Sequence, residues 1–161
     1  MEPKTLLKII VESALIVDLI ATSVEEVAQR LVDALVAAGV VPESARDAAI
    51  AATLAREARG TTALGAGVAI PHAEVEGLDR ACATVAIAPG DGAPYNALDG
   101  ENVRAFFFVL TSPDLPKREY LVALDEAYRL ACNAEFMTLF KQTRTTKDAL
   151  QMLENPEGAL A

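Results

Sequence analysis

The sequence predicts a single α/β domain in which a mixed β-sheet is flanked by α-helices. The chain has 161 residues, a common size for one domain. Residues 81–88 and 103–110 are apolar apart from Thr84 and Arg104, which is typical of strands covered on both faces. Segments with the helical spacing of apolar residues lie before and after these strands. We therefore place the domain over residues 1–155 and expect residues 156–161 to form a frayed tail.

The N-terminal part of the chain carries signals for one strand and two helices. The β-branched, apolar run at residues 14–20 predicts a strand. Ser23 and Glu26 form a Ser-x-x-Glu capping box, which satisfies free N–H groups at the start of a helix that ends at Gly39. A second, alanine-rich helix is predicted to open at Pro42.

The middle of the chain is rich in glycine, and the C-terminal part is helical. Residues 60–67 read Gly-Thr-Thr-Ala-Leu-Gly-Ala-Gly and lead into a short strand at residues 68–72, Val-Ala-Ile-Pro-His. Glycine at these positions would let the backbone approach a bound group closely. The remaining predicted elements are turns at 89–92 and 98–100, followed by helices at 117–131, 133–141 and 146–154 with Asn133 and Thr145 as N-caps.

Composition excludes several classes of function. The chain has 14 Lys and Arg against 23 Asp and Glu, a formal charge of −9, which argues against nucleic acid as a partner. It has a single histidine and two distant cysteines, so a zinc site of the usual Cys/His kind is excluded, and we expect neither a metal nor a cofactor. Both cysteines, Cys82 and Cys132, are interpreted as core residues.

The sequence also predicts a cytoplasmic protein. Its most apolar N-terminal stretch, residues 6–20, is interrupted by Lys8, Glu12 and Asp18, so it is neither a transmembrane helix nor a signal peptide. Cysteines without an evident disulfide partner favour a reducing compartment. No further domain is expected from the length of the chain.

The single histidine, His72, is the most informative residue. It follows Pro71, whose fixed φ restricts the backbone that leads to the histidine, and it precedes a charged segment. One interpretation is an ordinary loop histidine hydrogen-bonded at the edge of the core. The other is a nucleophile toward phosphorus, because a neutral imidazole is abundant at pH 7. A nucleophilic pairing of His72 with a serine or cysteine is disfavoured, since neither stands in a recognisable motif.

A phosphoryl acceptor needs cations around the phosphoryl oxygens. The nearest candidates along the chain are Arg56 and Arg59, together with the hydroxyls of Thr61 and Thr62. Arginine suits phosphate because its planar fork binds two oxygens at once. The alternative for both arginines is a solvated helix end that complements the helix dipole.

Residues 57–73 carry a specific pattern around this histidine. The acidic Glu57 is followed, after six free positions, by the apolar–small pair at residues 64–65. Two positions later come Val-Ala-Ile-Pro-His, ending at His72, and the small Ala73. This segment resembles the active-site signature of the type 2 enzyme IIA proteins, the fructose, mannitol and nitrogen-regulatory IIA class of the phosphoenolpyruvate-dependent phosphotransferase system. The resemblance extends over about residues 5–153.

The resemblance implies the IIA type 2 fold and a set of site residues. His72 would be the phosphorylated histidine and would accept its phosphoryl group from an HPr-like phosphohistidine protein. Arg56 would stabilise the phosphoryl charge, and Thr62 would bind phosphate beside the histidine. Many relatives place a second histidine at the position of Tyr120, which could donate a hydrogen bond to a phosphoryl oxygen but supplies no second imidazole.

Three functions remain open on the sequence. The first is a phosphocarrier, expected to be a stand-alone IIA of the nitrogen-regulatory type or one that serves a separate sugar IIB/IIC transporter. The second is a non-catalytic regulatory module with this fold, in which Tyr120 has replaced the second histidine and transfer is reduced or lost. The third is a sensor that binds a small anion. The expected partners of a phosphocarrier are the HPr-like donor and either a IIB protein or a regulated target protein; the oligomeric state is not predicted.

Overall fold

A mixed five-stranded sheet lies at the centre of the protein, whose computed structural model describes residues 3–158. The elements are, in chain order, α1 (Lys4–Ile9), α2 (Val24–Ala37), α3 (Arg46–Ala58), β1 (Ala63–Gly65), β2 (Val68–Ala69), β3 (His72–Glu74), β4 (Cys82–Ile87), β5 (Ala105–Thr111), α4 (Lys117–Ala131), α5 (Ala134–Phe140) and α6 (Thr146–Glu154). Short 3₁₀ turns occupy Glu12–Ala14 and Glu43–Ala45. Residues 159–161 of the predicted tail lie outside the described residues.

Strand β5 organises the sheet. Strand β4 pairs with it in antiparallel orientation, and both β2 and β3 pair with it in parallel orientation. Because Val68 faces Ala105 and His72 faces Val109, β2 and β3 follow one another along the same side of β5. They are two pieces of one interrupted strand, and His72 begins the second piece.

Helices cover both faces of the sheet, as its largely apolar strands predict. Every residue of β5 is buried, and its side chains alternate between two cores. Phe106 and Phe108 pack in the core beneath α2 and α3, whereas Phe107 packs in the core beneath α4 and α5. The predicted fold class is therefore confirmed.

Most helices lie where the sequence places them. Helices α4 and α6 have the predicted bounds, and the N-caps Ser23, Asn133 and Thr145 each accept a backbone N–H three residues on. The capping box differs in one detail. The carboxylate of Glu26 accepts from the N–H and hydroxyl of Thr22, one residue before the cap, and the Thr22 N–H is the main cause of a lowered Glu26 pKa.

The strand predicted at residues 14–20 is wrong. This segment meets β4 through an isolated bridge between Ile16 and Ala86, through a hydrogen bond from the Leu19 N–H to the Ile87 carbonyl, and through one from the Thr84 hydroxyl to the Ala14 carbonyl. The 3₁₀ turn at Glu12–Ala14 bends its start, and Ile20 at its end is 72% exposed. The β-branched residues therefore anchor an irregular edge segment and do not form a continuous ladder.

Two further predictions need correction. Cys82 is buried as expected, but Cys132 is exposed, because it caps the end of α4 beyond the buried part of that helix. The glycine-rich segment is a hairpin between β1 and β2. Gly65 and Gly67 have positive φ angles at its turn, and the carbonyl of Ala66 between them accepts from Lys141, so these glycines shape a turn.

Candidate functional site

His72 is held in one orientation by the break between β2 and β3. Its Nδ1 lies 2.7 Å from the carbonyl oxygen of Ile70, and a carbonyl can only accept, so Nδ1 carries the hydrogen. Pro71 fixes its own φ between the two residues and has no N–H to donate. Nε2 is therefore the ring nitrogen that keeps its lone pair, and it is the nucleophilic atom of this side chain.

The surroundings keep this imidazole neutral at pH 7. The ring is half-buried, and burial is the main cause that lowers the pKa of His72 below its ordinary value of 6.5. The Ile70 carbonyl opposes this effect. Arg56 lowers the pKa further and Glu57 raises it.

A cleft of about 400 Å³ opens over His72, between the end of α3 and the first turn of α4. Arg56 and Arg59 of the α3 end line it, with Glu74 of β3 and Tyr120 of α4. The structure thus brings together three of the four predicted site residues, namely His72, Arg56 and Tyr120. A cleft that presents two guanidinium groups beside a neutral imidazole is suited to a phosphoryl group.

Arg56 lies in the last turn of α3, half-buried at the edge of the cleft. Its Nη1 donates to the carbonyl of Gly60 at 2.8 Å, which fixes the guanidinium by one of its five N–H groups. Arg59 caps the same helix and is exposed. Both cations also complement the negative end of the helix dipole, so the alternative drawn from the sequence and the phosphate interpretation are compatible.

Tyr120 faces His72 across the cleft. The two ring centroids are 6.3 Å apart, with an angle of 58° between the ring planes. Burial, followed by the charge of Glu74, raises the pKa of Tyr120 to about 12. The hydroxyl is therefore protonated under all ordinary conditions and is a permanent hydrogen-bond donor.

Thr62 occupies a different place from the one expected of a phosphate ligand. It is buried, and both its N–H and its hydroxyl donate to the carboxylate of Glu57. Its side chain is not part of the cleft lining. Tyr95 approaches the same carboxylate from behind, and burial and the Glu57 charge together raise the pKa of Tyr95.

Sequence reasoning assigned no role to two residues at this site. Glu74 lines the cleft and lies 3.4 Å from Nζ of Lys117, an ion pair that joins β3 to the start of α4. Glu57 is the acidic position of the signature, and that position is the signal for it in the sequence. Spacing along the chain does not reveal the ion pair of Glu74 with Lys117 or the hydrogen bonds of Glu57 with Thr62. The first depends on the position of β3 beside α4, and the second on the path of the 59–62 loop after α3.

Two further observations concern metal binding and membrane spanning. Over residues 3–158, the His, Cys, Asp and Glu side chains form no cluster of three or more that could hold a metal ion. None of the helices in this range has the length and apolar character that crossing a membrane requires.

Comparison with known proteins gives consistent results. The family model described as "Phosphoenolpyruvate-dependent sugar phosphotransferase system, EIIA 2" matches residues 8–155. Over 81 residues the chain is 38% identical to the PTS system fructose-specific EIIA component of Haloferax volcanii. That alignment covers 50% of each protein, so the chain spans about half the length of this curated relative.

Solved structures show the same fold. The nitrogen regulatory protein IIA-Ntr from Neisseria meningitidis superposes with a TM-score of 0.79 at 21% identity, covering 91% of this chain and 97% of that one. Enzyme IIA-mannitol from Escherichia coli, solved in complex with phosphorylated enzyme IIB-mannitol, superposes with a TM-score of 0.70 at 18% identity. The superposition covers 88% of this chain and 94% of the mannitol protein.

Proposed function

The chain belongs to the EIIA 2 family of the phosphoenolpyruvate-dependent sugar phosphotransferase system, and from that premise we propose that it is a phosphocarrier that takes up a phosphoryl group on Nε2 of His72. The hydrogen bond from Nδ1 to the Ile70 carbonyl is the observation that carries this proposal. It leaves a neutral nitrogen nucleophile in a cleft with two arginines.

Transfer requires no proton to leave His72. The Nε2 lone pair forms a bond to phosphorus as the bond from phosphorus to the donor's nitrogen breaks, and that electron pair returns to the donor. Nδ1 keeps its hydrogen, so the imidazole gains positive charge as the new bond forms. The Ile70 carbonyl, which accepts from Nδ1, stabilises that charge at the moment it develops.

The remaining cleft residues act on the phosphoryl oxygens. Arg56 is the first candidate, because its guanidinium is already fixed at the Gly60 carbonyl and its charge acts on His72. Tyr120 supplies a neutral donor from the opposite side of the cleft. Glu74 repels a dianion, and its ion pair with Lys117 reduces that effect. We do not extend the phosphate-binding role to Thr62, whose hydroxyl is engaged by Glu57.

We propose an HPr-like phosphohistidine protein as the donor and a IIB protein of the sugar class as the onward acceptor, both in the cytoplasm. The IIB acceptor is supported by the name of the curated relative, a fructose-specific EIIA component, and by the mannitol protein that was solved with its phosphorylated IIB. The nitrogen-regulatory role that the sequence favours stays a second candidate. Incubation of the phosphorylated chain with a purified fructose-class IIB distinguishes them, since only a sugar carrier loses its phosphoryl group to that protein.

A non-catalytic interaction module is the competing function, and Tyr120 is the observation that favours it. A tyrosine that remains protonated offers a hydrogen bond but no positive charge. The presence of Arg56 beside a half-buried His72 opposes this alternative, because a surface that only binds a protein needs neither.

The phosphocarrier proposal is tested by incubation with phosphoenolpyruvate, enzyme I and HPr, followed by intact mass. We expect the mass to rise by one phosphoryl group, and we expect the adduct to be labile to acid and stable to alkali. His72→Gln removes the only histidine of the chain and should abolish the adduct. Absence of the adduct in the wild-type chain, while a known IIA is labelled in parallel, excludes the proposal.

The two arginines provide a matched pair for the same experiment. Arg56→Gln should slow phosphorylation by about 10² to 10³, the typical cost of losing one electrostatic group that acts on the transition state. Arg59→Gln removes the same charge from the exposed rim of the cleft and should have a smaller effect. Equal effects of the two variants would show that the cleft supplies only a general positive field.

A further inference from the structure

Behind the cleft, a series of hydrogen bonds connects Glu57 to His72. Oε2 of Glu57 accepts the N–H of Thr62 at 3.1 Å, and the same carboxylate accepts the Thr62 hydroxyl. The carbonyl of Thr62 accepts the N–H of Ile70 at 3.1 Å. The carbonyl of Ile70 then accepts Nδ1 of His72 at 2.7 Å. Three contacts therefore separate a carboxylate at the end of α3 from the reacting imidazole.

Each contact fixes the place of the next one. Glu57 binds Thr62 through two donors, which sets both the position and the rotation of this residue. The Thr62 carbonyl then holds Ile70 beyond the end of β2, where the regular pairing with β5 stops at Ala69. Because Pro71 restricts the backbone of the residue before it, Ile70 has little freedom left, and its carbonyl is aimed at the imidazole.

We propose that Glu57 is a positioning residue that holds Thr62, and through it Ile70, so that His72 keeps the Nδ1–H tautomer and leaves Nε2 free to react. This inference rests on the proposed phosphotransfer at His72. The acidic residue of the signature, Glu57, then orients the nucleophile. Thr62 helps to hold His72 in this orientation and does not contact the phosphoryl group.

The charge of Glu57 adds a second, weaker effect on the same ring. Five groups with charge or a titratable proton surround His72: Arg56 and Glu57 from α3, Arg59 at its end, Glu74 from β3 and Tyr120 from α4. Among them Glu57 favours the positive charge that the imidazole acquires during transfer, whereas Arg56 opposes it. Support of the ring and stabilisation of its charge therefore come from one carboxylate.

The test compares Glu57→Gln with Glu57→Met in the untagged chain. The two substitutes have similar size and no charge, but only glutamine retains an oxygen that can accept from Thr62. Two-bond ¹H–¹⁵N correlation spectra report the tautomer directly, since the chain has a single imidazole. We expect one Nδ1–H tautomer in the wild type and in Glu57→Gln, and a mixture of tautomers in Glu57→Met.

Phosphorylation rates provide the second readout. Glu57→Met should slow phosphorylation by about 10-fold to 100-fold, as expected when a reacting group is misplaced by up to an ångström, and Glu57→Gln should recover most of this loss. Glu25→Ala, which removes a carboxylate from the exposed start of α2, is the charge-matched control and should behave as wild type.

Two results would overturn the positioning role. One is a wild-type spectrum that shows the hydrogen on Nε2 or a mixture of tautomers, which is decisive even if neither variant folds. The other is identical tautomer populations in Glu57→Gln and Glu57→Met. If the wild-type chain accepts no phosphoryl group but the two variants differ in tautomer as expected, the proposed function fails and the positioning role stands.

Discussion

At the scale of the residue, the protonation state of His72 results from opposing neighbours. Burial and Arg56 favour the neutral ring, while the Ile70 carbonyl and Glu57 favour the charged one, and the net direction is a lowered pKa. A lowered pKa suits a nucleophile, since the lone pair on Nε2 is then available throughout the neutral range. Tyr120 adds no competing titration in that range, because its own pKa is about 12.

We predict that the His72 imidazole titrates with a midpoint below 6.5, measured by NMR on the single histidine of the folded chain. The unfolded chain, with an ordinary histidine pKa of about 6.5, then binds more protons than the folded one in the interval between the two pKa values. The contribution of this group to the free energy of unfolding is therefore fully present above the unfolded pKa. It decreases as the pH falls toward the folded pKa.

His72→Gln is the control for this prediction. Urea denaturation at a series of pH values should show a decrease in stability toward low pH for the wild type that is larger than the decrease for the variant, because carboxylates titrate in both proteins. A midpoint at or above 6.5 in the folded chain would mean that Glu57 and the Ile70 carbonyl outweigh burial.

At the scale of the element, the cap of α2 lies apart from the cleft. The hydroxyl of Ser23 accepts the N–H of Glu26 at 3.1 Å and begins α2, which packs beside α3. Ser23→Ala should lower the free energy of unfolding by about 1 kcal/mol, measured by urea denaturation, because one N–H at the helix start loses its partner. Phosphorylation of the folded variant should be unchanged, since no cleft residue lies on α2.

Ser44→Ala is the matched control, an exposed serine in the 3₁₀ turn before α3 whose replacement should alter stability by less than about 0.5 kcal/mol. Equal losses for the two serines would show that the cost arises from solvation and not from the cap. A slower phosphorylation of Ser23→Ala would show that the start of α2 is coupled to the cleft.

Whether an element can be predicted from the sequence depends on whether its signal is local. Elements with their own local signals are found where expected, such as α6 after its cap at Thr145 and β5 with its run of phenylalanines. The segment at residues 14–20 has the composition of a strand, but whether it pairs depends on β4, more than sixty residues away. The support of His72 by Glu57 is likewise hidden in the sequence, since it passes through Thr62 and Ile70 in three hydrogen-bonded contacts that no spacing along the chain reveals.

At the scale of the whole molecule, β5 connects the site to both cores. His72 pairs with Val109 of this strand, and the neighbouring side chains Phe107 and Phe108 enter opposite cores. The floor of the cleft therefore cannot move without disturbing the packing on both faces of the sheet. A strand shared in this way makes independent unfolding of either core unfavourable, so the described part of the chain should unfold as one cooperative unit.

The three tyrosines allow this last prediction to be tested. Tyr95 is buried in the core beneath α2 and α3, Tyr120 lies in the core beneath α4, and Tyr128 is 52% exposed. In a chain labelled with fluorotyrosine, the ¹⁹F signals of Tyr95 and Tyr120 should disappear at the same urea concentration, with Tyr128 as the reference for solvent effects. Loss of one signal before the other would mean that the two cores unfold separately. In that case α3, with Arg56 and Glu57, could detach from the cleft while α4 remains folded.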